Sequence, residues 1–400
     1  YLDYGRKDGA WVRNIHGGNE NLEAVDFLQK LNERVFAAHD DVLMVAEEST
    51  AWPKVSHPVS EGGLGFNLKW NMGWMNDVLH YMKMDPYFRQ FNHKDITFSF
   101  LYAFSENFIL PLSHDEVVHM KGSLLNKMPG SYEEKFAGVR AFYAYMLTHP
   151  GKKLLMMGSE FGQWNEWHFE YSLDWHLLDN EINRKTQAFF QAANHFYLAQ
   201  APLWEEDFSW EGFEWIYADD SQANTISFLR RDKKGNALVV VCNFSPVDRT
   251  GYCVGVPAAG AYTCLFNTDD PAFGGEGRGD REAVKSQYIP CHGREQSIVI
   301  TLPPMSTLYF EVPTKRTAKT AADKAKKPGK KTAAKKTTKA APAEKAVKKP
   351  GRKPKAAPEA PMEKDAKKPG RKPKAAEAPA EKPVKKPTRK AKAEPEPAAE

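Results

Sequence analysis

The chain has 400 residues, enough for two or three domains, and its formal net charge of +5 hides a sharp division near Val312. Residues 313–400 hold 29 Lys and Arg against 10 Asp and Glu, while residues 1–312 hold 27 against 41, so an acidic body of net −14 carries a basic tail of net +19. That excludes reading the chain as one mildly basic protein, and because every Trp, Tyr and Phe lies before residue 313 it also excludes a packed core for the tail.

In chain order, Asn19 or Asn21 is a candidate cap for a helix whose apolar face includes Ala24, Phe27, Leu28, Leu31 and Val35. Val42 to Ala46 (VLMVA) predicts a buried strand that ends in Glu47 and Glu48. A second strand-like run, Gly65 to Leu68, precedes a helix around Trp74 to Met82. The third strand, Asn107 to Leu112, ends in Ser113-His114-Asp115-Glu116. A helix from about Tyr132 to Thr148 stops at Pro150-Gly151. The fourth strand, Lys153 to Met157, ends in Gly158-Ser159-Glu160, and a long helix spans roughly Glu181 to Gln200.

Repeated strand-then-helix units imply a parallel sheet. Polar and acidic residues cluster where each strand ends, which is where a (β/α)8 barrel or a doubly wound sheet keeps its site. No GxGxxG follows a strand, which disfavours the nucleotide-binding version. Four strands are half of a barrel, so the expected fold is α/β: a partial (β/α)8 TIM barrel, second half only, over residues 1–201. The chain opens on Tyr1 inside ongoing structure, and the first half of the barrel is expected upstream.

From about Pro202 the apolar period becomes two. Strands are expected at Glu214–Ala218, Thr225–Arg231, Ala237–Phe244, Tyr252–Val256, Tyr262–Phe266, Ser297–Leu302 and Thr307–Val312, making residues 202–312 an all-β sandwich. Lys233 to Asn236 reads as a hairpin turn, and the loop Phe273 to Asp280, with four glycines, reads as mobile. The tail, 313–400, repeats KKPGRKPKAA at Lys348–Ala357 and Lys367–Ala376. Its composition predicts disorder with polyproline II character. It is a solvated segment, a partner-docking tail or a non-specific binder of nucleic acid or another polyanion, in the last case with salt-sensitive affinity.

Cys242, Cys253, Cys264 and Cys291 show neither CxxC spacing nor a His in a ligand pattern, so reduced thiols in a cytoplasmic protein are expected, with two disulfides as the alternative. No apolar run reaches membrane-spanning length. No metal or organic cofactor is implied, no membrane partner is expected, and the chain is expected to be a monomer.

Glu47 and Asp115 follow the ends of two predicted strands. Glycoside chemistry needs carboxylates so placed: one protonates the departing oxygen, and another attacks the anomeric carbon or stabilises an oxocarbenium-like transition state. A single strand-end carboxylate more often caps a helix; the pair of motifs is harder to dismiss. His114 is suited to hydrogen-bonding sugar hydroxyls, although a lone His is more often a packing residue. Ser113-His114-Asp115 is no hydrolase triad, because three consecutive residues cannot converge. Trp52, Trp164 and Trp167 are candidate sugar platforms; for Trp175 a packing role is favoured.

Seven segments together resemble bacterial glycogen (1,4-α-glucan) branching enzymes within the α-amylase superfamily: Asp3–Trp11, Gly17–Ala24, Met44–Thr50, Gly62–Asp77, Leu110–His119, Pro150–Gln163 and Ser172–Leu178. The resemblance covers roughly residues 1–312. It implies that Glu47 is the general acid/base, that Asp115 stabilises the transition state, and that His114 binds substrate. It implies a retaining cut of an α-1,4-glucan such as glycogen or amylose, followed by transfer to a 6-hydroxyl. The family's nucleophilic Asp, in a motif resembling GxRxDAV, is absent from these 400 residues, so the chain alone is expected to be inactive. The alternatives are a glucan hydrolase of the same superfamily and a non-catalytic glucan- or polyanion-binding protein.

Overall fold

Asn21, rather than Asn19, starts the first helix: its Oδ1 accepts from the Ala24 amide at 2.9 Å. A computed structural model describes residues 1–314 except Tyr4 and Asp8; the sequence expectations for the tail beyond residue 314 lie outside the described residues. Helix α1 (Leu22–Ala38) lies at the surface. Ala24, Leu28, Leu31 and Val35 are half-buried as their spacing predicts, but Phe27 is exposed.

Four short strands follow, each leading into helices or 3-10 turns: β1 (Val45–Ala46), β2 (Leu68–Trp70), β3 (Phe108–Leu112) and β4 (Lys152–Leu155). They form one parallel sheet in the order β1-β2-β3-β4. Helices α2 (Met72–Lys83), α3 (Pro86–Arg89), α4 (Leu124–Lys127) and α5 (Tyr132–Thr148) lie between them, and α6 (Glu181–Ala199) follows β4. Sequential parallel strands with helical crossovers are half of a (β/α)8 barrel.

The expected buried strand Val42–Ala46 is corrected. Only Val45 and Ala46 pair, and Val42, Leu43 and Val45 are exposed. The reason is position: β1 is at the sheet edge and pairs with β2 alone, so its outer edge and the Val45 side chain are not covered by described residues, while Ala46 faces inward against Val55 and Leu64.

The period-two region gives an antiparallel sheet ordered β10-β9-β12-β7-β6-β5, formed by β5 (Phe213–Asp220), β6 (Thr225–Arg231), β7 (Ala237–Asn243), β9 (Ala261–Asn267), β10 (Val284–Lys285) and β12 (Ser306–Glu311). A second sheet pairs β8 (Arg249–Val256) with β11 (Gln296–Leu302). Every residue of β7 is buried, because both of its faces are covered. Leu229, Val239 and Val241 face Val254, Ile298 and Ile300 across the sandwich, while Phe228, Val240 and Cys242 join α5 in the main core. Each fully buried side chain of this size contributes about 1.5–3 kcal/mol. Thr307 Oγ1 and Tyr309 OH donate to the α5 carbonyls of Ala141 and Ala144 at 3.0 and 2.6 Å, which fixes the sheet on the helix.

The hairpin between β6 and β7 turns at Gly235 (φ +80°), with the Asp232 carboxylate accepting from the Lys234 and Asn236 amides. The glycine-rich loop 273–280 is more ordered than its composition suggests. The Asp269 carboxylate accepts from the Glu276 and Arg278 amides, and Asp280 accepts from Thr301 N. Gly275 passes so close to the Asp269 backbone that a Cβ would lie 2.2 Å from it, so glycine is needed there for close approach. All four cysteines are free thiols. Among the described residues no helix is long and apolar enough to cross a membrane.

Candidate functional site at the strand ends

A parallel sheet sends all its C-terminal strand ends to one side. Glu47 follows β1, Asn71 follows β2, the Ser113–Glu116 turn follows β3, and the Gly158–Gln163 turn follows β4. Several of these polar groups are occupied by the backbone. Asn71 caps α2, accepting from Trp74 N at 2.9 Å. Ser113 and Glu116 form a reciprocal capping box: Glu116 Oε2 accepts from Ser113 N at 2.6 Å and from Ser113 Oγ at 2.8 Å. Of the four residues Ser-His-Asp-Glu, only His114 and Asp115 are left with outward side chains. They are 52% and 46% exposed, with Nε2 and Oδ1 3.3 Å apart.

The same division separates Glu47 from Glu48. Glu48 faces Lys69 of β2 at 3.0 Å, both side chains being 8% exposed, and accepts from Thr50 N at 2.8 Å. Burial pushes the Glu48 carboxyl up, but Thr50 and Lys69 outweigh it and hold the group below the usual carboxylate range. Burial and the Glu48 charge push the Tyr1 phenol well above its ordinary value. Glu47 is exposed and makes no hydrogen bond or ion pair with a described residue. It lines a cavity of about 350 Å³ with Tyr1, Leu2, Ser49 and Met72. His114 and Asp115 are not among that cavity's lining residues.

The tryptophans divide. Trp52 packs edge-on against Tyr1, centroids 5.2 Å apart, beside Ala46, Val55 and Leu64, so packing is its evident role. Its ring also borders a cavity of about 750 Å³ with Trp70 and Tyr102. Trp164 is exposed and tilted against Tyr132, and its carbonyl accepts from Ser123 Oγ and Asn126 Nδ2. Trp167 is half-buried, and its amide donates to Val117 O at 3.1 Å, tying the loop after β4 to the loop after β3. Trp175 stacks on Phe161, the packing role favoured for it.

Sequence reasoning missed Glu166. Its carboxylate accepts from Gly122 N at 2.6 Å and from Met120 N at 3.0 Å. It holds a loop in which His119 and Met120 are both in the left-handed region, at φ +55° and +65°. Lys127 braces the same loop, donating to the Lys121 and Gly122 carbonyls, and burial pulls its ammonium down to about 8. The sequence signal is faint: a Lys-Gly turn and a distant carboxylate. Among the described residues no group of three or more His, Cys, Asp and Glu is arranged to hold a metal ion.

Residues 215–313 match the family model of the α-amylase C-terminal all-β domain. The chain is also 54% identical over 312 residues to a 1,4-alpha-glucan branching enzyme of Aquifex aeolicus, covering 78% of this chain and 49% of that one. It is 51% identical over 312 residues to the enzyme of that name from Halothermothrix orenii, covering 78% and 50%. The chain belongs to the bacterial branching-enzyme family. It spans about half the length of the curated relatives it matches. Among solved structures, a cyclomaltodextrinase superposes with a TM-score of 0.48 at 17% identity, over 71% of this chain and 43% of that one.

Within a branching-enzyme frame, the strand-end geometry offers two carboxylates without structural duties, Glu47 and Asp115, and one imidazole beside the second. Around them Lys69, Glu48, Ser113 and Glu116 fix the backbone from which those side chains project.

Proposed function

We propose that this chain carries the general acid/base and the transition-state-stabilising carboxylate of a 1,4-α-glucan branching enzyme. One observation supports this above the others: Glu47 and Asp115 follow parallel strands at the same C-terminal end of the sheet, Glu47 unpaired and Asp115 beside His114 alone, while their acidic neighbours Glu48 and Glu116 are held by local partners. In this reading Glu47 protonates the 4-oxygen that leaves when an α-1,4 bond of glycogen or amylose is cut. It then takes the proton of the attacking 6-hydroxyl, so the anomeric configuration is retained through a double displacement. Asp115 stabilises the oxocarbenium-like charge and, with His114, grips sugar hydroxyls. Trp164 and Trp167 flank the site as sugar contacts, while Trp52 acts by packing Tyr1.

The covalent step needs a nucleophilic carboxylate, and the GxRxDAV-like motif that supplies it in this family is absent from these 400 residues. The chain by itself therefore forms no glycosyl-enzyme and does not turn over. The proposed division is a barrel half over 1–201, an all-β domain over 202–312 as scaffold, and a basic tail over 313–400 with affinity for polyanions. The protein is taken as a cytoplasmic monomer, in keeping with its four free thiols.

The test uses an assembled enzyme in which the family's upstream half is joined to this chain. With amylose, α-1,6 linkages should accumulate without a matching rise in reducing ends, and Glu47→Gln should abolish them. Reducing ends without branches would make it a hydrolase. Branching by the 400-residue chain alone would refute its inactivity.

A further inference from the structure

In the all-β domain, away from the strand ends, two of the four free thiols are brought together. Cys253 lies in β8, where Val254 and Val256 point into the sandwich core, so Cys253 and Gly255 point to the outer side of the sheet. A two-residue hairpin, Cys291 to Arg294, covers that side. Cys291 N donates to Arg294 O and Arg294 N to Cys291 O, both at 3.0 Å, and His292 and Gly293 are both in the left-handed region, at φ +51° and +71°.

The hairpin is held from two directions. On β5, the His292 ring stacks on Tyr217, centroids 4.4 Å apart and planes 6° from parallel, and Arg294 pairs with Glu214. On β8, the Gly255 amide donates to His292 Nδ1 at 3.4 Å. The Cys291 backbone passes so close that a Cβ at Gly255 would lie 2.3 Å from its carbonyl oxygen. Cys291 is therefore fixed over β8 at Gly255, two residues from Cys253 on the same face, and the two thiols interact directly. Both residues are half-buried, within reach of a small solute.

The other two cysteines have no such arrangement. Cys242 in β7 belongs to the core shared with α5, whereas Cys264 in β9 packs into the sandwich core on the other face of the sheet, with β12 between their strands. Of the two disulfides that four cysteines allow, the fold prepares one. Burial above all, and then the Cys253 thiol, push the Cys291 thiol up to about 12, so Cys291 rests protonated and reacts by slow exchange.

We propose that Cys253 and Cys291 are a redox-modification site, which a small disulfide such as glutathione disulfide oxidises to a bond that clamps the 291–294 hairpin onto β8. One protein thiol gives up its proton and attacks a sulfur of the oxidant, and the glutathione thiolate that leaves takes a proton. The second protein thiol does the same at the protein sulfur of the mixed disulfide and releases the other glutathione. Two protein S–H bonds are lost and one S–S bond forms, while the S–S bond of the oxidant is reduced to two thiols. The new bond closes the chain from 253 to 291, which carries β9, β10 and the loop 273–280, and so restricts the unfolded chain.

The experiment incubates the 400-residue protein with glutathione disulfide, alkylates the remaining thiols in urea and digests at Tyr262, which separates Cys253 from Cys264. Mass spectrometry should show a single cross-link, between Cys253 and Cys291, with Cys242 and Cys264 recovered as alkylated thiols. The urea midpoint of the oxidised protein, read by tryptophan fluorescence, should rise by about 1 M, and dithiothreitol should return it. Cys253→Ser and Cys291→Ser, which each keep a small polar group in place of the thiol, should both lose the cross-link and the rise. Four free thiols after treatment, a stable glutathione adduct on Cys253 or Cys291 without the cross-link, or a cross-link to Cys242 or Cys264 overturns the site. A cross-link between Cys253 and Cys291 without a rise in the midpoint overturns the clamp.

Discussion

Arg230 Nη2 lies 2.9 Å from Asp207 Oδ1, and the two side chains are 0% and 1% exposed. Arg230 Nη1 also donates to Thr148 O at the end of α5, and Asp207 Oδ2 sits 2.9 Å from Lys152 of β4. One buried pair therefore ties the parallel sheet, its covering helix and the antiparallel sheet together. Removing one partner of such a pair strands the other in a medium that cannot solvate it. Asp207→Ala should destabilise the protein by about 3–5 kcal/mol, read as a fall in urea midpoint by tryptophan fluorescence. A midpoint equal to that of the unmodified protein would show that water and the backbone carbonyls of Thr148, Glu206 and Gly212, to which Arg230 already donates, satisfy the guanidinium at no cost.

The same carboxylate sets an acid limit. Burial pushes Asp207 up, but Lys153, Arg230 and Lys152 together pull harder, so its folded value lies below the ordinary one. A depressed carboxyl contributes stability that is complete above its unfolded value of about 4 and is lost as pH falls through the folded value. Urea midpoints measured downward from pH 7 should hold near neutrality and drop below about pH 4. In Asp207→Asn that drop should be shallower. An equal drop in both proteins would assign acid sensitivity to other groups.

Glu166 controls a strained loop. Consecutive non-glycine residues in the left-handed region cost on the order of 1–3 kcal/mol each and persist only where the surroundings hold them. The Gly122 amide, above all, keeps the Glu166 carboxyl below its ordinary range, and Lys121 Nζ reaches back to the Asp115 carbonyl at 2.7 Å. Glu166→Ala should speed amide exchange at Met120 and Gly122 and open the chain to trypsin after Lys121, while leaving the global unfolding midpoint nearly unchanged because the residue is only half-buried and its contacts lie within one surface loop. Unaltered exchange at those two amides would mean that Lys127 alone holds the loop.

Local signals in the sequence were readable where neighbours in the chain decide the outcome. Helix α5 begins and ends where Tyr132, Thr148 and the following Pro-Gly predict, and β6 has its expected bounds, Thr225 to Arg231, although it is buried on both faces rather than alternating. What failed depended on distant partners. Val42 to Ala46 is apolar enough for a buried strand, yet Val42, Leu43 and Val45 are exposed because their burial needs a neighbour on the outer side of β1. The glycines of 273–280 suggest mobility, but the Asp269 carboxylate organises them. The positions of Glu47 and Asp115 just past β1 and β3 were legible because local strand signals set them. Glu166 was not, because its contact with Gly122 spans 44 residues and exists only after folding. Trp52, a candidate sugar platform in the sequence, packs against Tyr1 and also borders a cavity with Trp70 and Tyr102, a contact that no local signal announces.

The two charges of the chain make opposite predictions for polyanions. The body, at net −14, repels phosphate, while residues 313–400 offer 29 cations against 10 anions. Binding to duplex DNA should therefore reside wholly in residues 313–400 and show no sequence preference. Its logarithmic affinity should fall linearly with the logarithm of salt, by about 0.9 for each phosphate engaged. If only about 6–10 phosphates are engaged, affinity falls by roughly 10³–10⁵ between 50 and 200 mM salt. Removing residues 313–400 should abolish DNA binding and leave maltohexaose binding untouched, because every proposed sugar contact lies before residue 313. DNA affinity that survives the truncation, or that ignores salt, would place recognition in the acidic body, where only a specific cationic pocket overcoming the net charge could account for it.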